Sequence, residues 1–248
     1  MKLRIRPEFK KVLLPLAFMM SASSVATAAT WEVKVTNLTH GNHFTPLVVT
    51  ATAHDAHIFS LGSTASTALT AMAECGDLSG LLDSAEVGAE DADTIVNPVG
   101  PVSDSNPGFL APGGSTTAML TTAETHLSIV AMILPSNDGF IGLDSIHIPV
   151  EAGTYHYYVN GYDAGTEANT ELKDTAGSCA PGQAGYPGAP SGSEGTGGTG
   201  VSSDDVNAMV HVHRGVLGDS DPTGGLSDLD NTVHRWQNPM AKVTVTVQ

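Results

Sequence analysis

Apolar and polar positions alternate with a period of two along several stretches of the chain. In Trp31 to Leu38, Trp31, Val33 and Val35 alternate with Glu32, Lys34 and Thr36, the pattern of a strand with one face buried. Phe44 to Ala53 is an apolar run rich in β-branched residues, and Thr116 to Thr122 and Leu127 to Leu134 read as neighbouring strands. Gly142 to Val150, Gly153 to Gly161, Val206 to Val216 and Ala241 to Val247 complete a set of about eight. Short strands divided by Gly, Pro and Asn turns predict an all-β fold, an antiparallel β-sandwich. One segment has a helical period: Thr67 to Asp83 spaces Leu69, Met72 and Ala73 for a single face before Gly76 stops it, which predicts one or two short helices.

The first 28 residues have a different pattern. Lys2, Arg4, Arg6, Lys10 and Lys11 precede an apolar run, Val12 to Met20, that is too short to cross a bilayer and ends in small residues. This is the layout of a signal peptide, with Ala26 and Ala28 forming an A-x-A cleavage pattern after residue 28. With no second hydrophobic span, the mature protein is expected to be periplasmic or secreted, without a transmembrane anchor. The whole chain has 10 basic and 26 acidic residues; the leader takes five of the basic ones and Glu8, leaving 5 against 25 and a net charge of −20. Such a surface excludes nucleic acid as a partner and attracts cations.

Residues 29–248 read as one β domain, since no linker divides two cores. Ala176 to Gly200 is rich in Gly, Ser, Pro and Thr and reads as a flexible surface insert. Cys75 and Cys179 are an even pair in an exported chain, which favours a disulfide over two free thiols or two metal ligands.

Candidate chemistry lies at the strand ends. Asp138 follows the apolar strand ending at Leu134, and Asp163 and Glu167 lie four apart in a Gly-containing turn after the aromatic strand Tyr155 to Tyr162. Three carboxylates at one pole of a sheet suit a hard cation such as calcium, which takes six to eight oxygens. The plainer account makes Asp138 and Asp163 turn residues bonding nearby amides. All ten histidines lie after the leader. His211 and His213 flank Val212, so as a strand they share a face, and with His43 and His40, or with the pair His54 and His57, they would offer a site for copper or zinc. His54 and His57 form a further pair; His126, His147 and His156 read as hydrogen-bonded or solvent-facing, and His234 as packing near Trp236. Signatures of hydrolases, zinc proteases and nucleotide-binding loops are absent, so no catalytic residue is assigned and the chain is not expected to be an enzyme.

The segments PSNDGFIG and YDAGTEAN, with AECGDLSGLL upstream and WQNPMAKVTVTV at the close, resemble the spondin N-terminal domain family in a single-domain form. The resemblance implies an extracellular β-sandwich with calcium at one end, of a kind met in matrix and adhesion proteins. By motif, its ligands would be Asp138, Asp163 and Glu167, the last a Glu where Asp is expected in animal members. Two readings follow: a calcium-binding module for an unidentified extracellular or periplasmic protein or surface component, and a copper-binding protein using the histidines.

Overall fold

A computed structural model describes residues 28–83, 94–97, 108–174, 179–188, 195–204 and 207–248, residues 94–97 by backbone alone. The signal peptide expected over residues 1–28 therefore lies, but for its last residue, outside the described residues.

Alternation becomes strand where it was expected. β1 (Ala29–Asn37) buries Trp31, Val33 and Val35, and β10 (Ala241–Val247) buries Ala241, Val243, Val245 and Val247. The two pair antiparallel with Trp31 opposite Val247, and Gln248 N donates to Thr30 O at 2.9 Å. β5 (Ser115–Thr122) pairs on the other side of β1. The run Phe44 to Ala53 becomes two strands, β2 (His43–Phe44) and β3 (Leu47–Thr52), because Pro46 has no N–H to give a ladder. β4 (Thr94–Asn97), outside the expected strands, pairs with β3. β6 (His126–Leu134) and β7 (Gly139–His147) form the next ladder, and β8 (Gly153–Asp163) follows. Of the strand expected over Val206 to Val216, residue 206 lies outside the described residues and the rest holds only β9 (His211–Val212); His213 N still donates to Gly161 O in the same register before Gly215, at φ +80°, leads the chain away.

The strands run in the order β4-β3-β6-β7-β8-β10-β1-β5. β8 is the corner. Its first half, Gly153 to Val159, pairs with β10, and its second half, Asn160 to Asp163, pairs with β7. One antiparallel sheet thus curls into two layers that share a strand, with β4 and β5 at its edges close to each other. Gly161 lies where β8 changes partner. A Cβ there would lie 2.5 Å from Met240 Sδ and 2.8 Å from Trp236 Cη2. Gly161→Ala is therefore expected to cost about 1 to 3 kcal/mol by overpacking, read as a lower midpoint in urea at unchanged slope.

β6 is buried along its whole length, which explains its unbroken apolar sequence. Leu127, Ile129, Ala131 and Ile133 face the interior between the layers with Val33, Val35, Val243 and Val245. Val130, Met132 and Leu134 face outward onto α1 (Thr67–Cys75), which contributes Leu69, Met72 and Ala73, and onto Leu81 of α2 (Ser79–Leu82). α1 starts at Ser66, whose Oγ accepts from Leu69 N at 3.1 Å. It stops at Gly76, whose φ of +66° suits a left-handed cap and lets Gly76 N reach Met72 O and Asp77 N reach Ala71 O. Cys75, the last helical residue, is disulfide-bonded to Cys179.

The described parts of the Gly-rich insert are not without a core. Tyr186 is fully buried with Val216 and Leu229, and Tyr186 N donates to Leu172 O. Asp228 accepts from Lys173 N, Thr196 N, Gly197 N and Gly198 N, which fixes residues 196–198 to the closing loop.

Candidate cation site

The turn after β6 and the end of β8 meet at one pole. Asp138 is fully buried; its Oδ2 accepts from Thr166 N at 2.8 Å, Glu167 N at 3.2 Å and Thr166 Oγ1 at 3.3 Å. Its other oxygen, Oδ1, is buried and has no hydrogen-bond partner. Asp163, also buried, accepts from Gly165 N through Oδ1 at 2.9 Å and from Asn169 Nδ2 through Oδ2 at 2.7 Å. Burial pushes the Asp138 carboxyl up to about 7, and the neighbouring Asp163 carboxylate adds to the shift.

Glu167 lies beside them through its backbone, but its carboxylate has other partners. Oε2 accepts from Asn137 Nδ2 and Gly185 N, both at 3.2 Å. Burial pushes Glu167 up to about 8, the Asn137 bond opposing and Glu74 adding. Asn137, which no local sequence signal marks, ties this carboxylate to Glu171 N through its Oδ1.

The histidines come to this pole by strand register. β9 places His211 opposite Asp163, and His213, two residues on, shares its face. The two Nε2 atoms lie 3.6 Å and 4.0 Å from Asp163 Oδ2. His213 is buried, its Nδ1 accepts from Gly215 N at 2.9 Å, and its Nε2 has no hydrogen-bond partner. Burial lowers His213 to about 4, against the pull of Asp163, which leaves a neutral imidazole at neutral pH. Its ring packs on Trp236 at 4.8 Å, and His234 Nδ1 accepts from Asp230 N.

His40 and His43 do not join them. His40 is exposed, and the imidazole that acts on His43 is His234. Among the described residues no three His, Cys, Asp or Glu side chains already form a metal shell, so the expected set of His43, His211 and His213 is not assembled. Asp138 and Asp163 are brought together as expected, Glu167 is adjacent, and His211 and His213 are added to them.

The fold is thus an antiparallel all-β module with a buried carboxylate pair at one pole. The family model Spondin_N matches residues 30–184, more than half of the chain, and the chain belongs to the spondin N-terminal domain family. The match ends before His211 and His213. Comparison with curated proteins finds no match. No described helix is long and apolar enough to cross a membrane.

Proposed function

We propose that this chain is an exported, calcium-binding extracellular module of spondin type, whose ion orders the acidic pole and whose loops meet a protein or surface partner. One observation carries the calcium reading: Asp138 Oδ1 is buried without a partner next to a second buried carboxylate. Two such groups in a low-dielectric pocket repel, and a divalent cation relieves both costs. The donor set fits: Asp138 and Asp163 would hold the ion, while Thr166 N and Glu167 N orient Asp138 and Asn169 orients Asp163. Calcium supplies charge neutralisation there. The family membership and the disulfide support a location outside the reducing cytoplasm.

Chelator-stripped, tag-free protein is expected to melt higher as calcium is added. At a hundredfold excess over Kd the gain is about 2.7 kcal/mol, or roughly 5 to 10 °C for a domain of this size. Asp138→Asn and Asp163→Ala should remove that rise. An unchanged response in Asp163→Ala, or no rise in the parent, overturns the reading.

The copper reading keeps one observation, the two imidazoles facing Asp163 Oδ2. It predicts a copper-induced rise that His211→Ala diminishes.

A further inference from the structure

A second group of histidines lies away from the acidic pole, at the start of β6. The ladders place Thr52 of β3 on one side of His126 and His147 of β7 on the other, with each pair directly opposite. Opposed residues carry their side chains on one face, and His54 follows Thr52 by two positions. The rings of His54 and His126 lie 4.9 Å apart between centres, and those of His126 and His147 5.3 Å.

This meeting depends on a β-bulge. Ile129 pairs with Leu143 but Leu127 pairs with Ile146, so β7 carries one extra residue. Ser145, at φ +48°, lies within it and donates its N–H to Ser128 Oγ at 2.8 Å. Without the extra residue, Ile146 rather than His147 would face His126. Bulges of this kind re-aim side chains. The loop bearing His54 is pinned too: Ser145 Oγ donates to His54 O, Ile58 N donates to Asp144 Oδ1, and His57 Nδ1 meets Asp144 Oδ2 at 2.6 Å.

We propose that His54, His126 and His147 bind one divalent transition-metal ion of the imidazole-accepting class, such as zinc or copper, with water completing the shell. Two imidazoles bound at about 2 Å by one tetrahedral ion put their ring centres roughly 5 Å apart, which matches both separations in the structure. In the described conformation the rings meet edge to face and no three donors yet surround one point. His54 and His147 are exposed, so rotation of their side chains closes the shell around the buried His126. His126 Nδ1 lies 3.0 Å from Thr125 Oγ1; donating there, it leaves Nε2 free for the ion and fixes the ring. Burial, with His54 and His147 adding, lowers the pKa of His126 and favours the neutral ligand form. The site shares no residue with the acidic pole and does not rest on the calcium reading.

The test is calorimetric titration of zinc chloride into chelator-treated, tag-free protein in calcium-containing buffer, with cobalt(II) absorbance as a check on geometry. One ion per chain is expected at this site. His54→Ala and His147→Ala should each weaken it at least tenfold, and the double variant should lose both the binding and the tetrahedral cobalt band. Asp163→Ala and His211→Ala should leave it intact. Both altered histidines are exposed, so an unchanged metal-free Tm verifies the fold. No zinc uptake, parental affinity in the double variant, or a loss that follows His211→Ala instead overturns the proposal.

Discussion

Replacing Cys75 and Cys179 by Ser is expected to destabilise the protein by about 4 kcal/mol and lower its Tm by roughly 10 to 15 °C. The bridge joins residues 104 positions apart. Closing a loop of about 100 residues removes unfolded-state entropy worth about 4.7 kcal/mol in the chain-entropy treatment. Little in the folded state compensates for the loss. The segment 179–188 meets the helical layer near Cys75 chiefly through Gly182 N, which donates to the buried carboxylate of Glu74. Thermal unfolding of the double Ser variant beside the oxidised parent measures this. A shift below about 2 °C would mean that the unfolded chain already keeps these segments together.

Glu171→Ala is expected to cost about 3 kcal/mol, with its effect concentrated in the closing loop. Glu171 is buried at a φ of +57°. Its Oε1 accepts from Leu217 N at 2.6 Å, and its Oε2 accepts from Gly218 N at 2.9 Å and Ser227 Oγ at 2.7 Å. Truncation removes the acceptor of all three, and only the donors nearest the surface regain a partner from water. Amide exchange at Leu217 and Gly218 should accelerate well before exchange in β10. Glu171→Gln, which keeps one acceptor oxygen, should fall between parent and Ala. Unchanged exchange at both amides would remove Glu171 as the organiser of that loop.

The cysteine pair and Glu171 mark where the sequence is and is not legible. The cysteine pair was legible because only two exist and the chain looked exported. Glu171 was not, because its partners lie 46 to 56 residues further on and nothing local marks a buried carboxylate. The strands β1, β5 and β10 were legible since one face of each is buried, so the apolar period is two. β6 was recognisable only as an apolar run: both its faces are covered, and the covering helix comes from a segment more than 50 residues earlier. At the acidic pole, Asp138 and Asp163 were found because strand ends present turn residues together. That His211 and His213 share a face followed from their spacing, but their place beside Asp163 rather than His43 did not. The bulge at Ser145 left no sequence signal strong enough to aim His147, so His126 and His147 passed as ordinary sheet histidines.

The register at the other end of the sheet bears on how the molecule is handled. Gly153 begins β8 opposite Val247, which is opposite Trp31, so Thr30 and Gln248 lie side by side. Asp163 is at the far end of β8, about 30 Å along the strand. A surface or optical-trap handle coupled through Gln248 therefore leaves the carboxylate pole facing the solution. A load applied between residues 29 and 248 would peel β1 from β10 one hydrogen bond at a time, so the layers should part at low force.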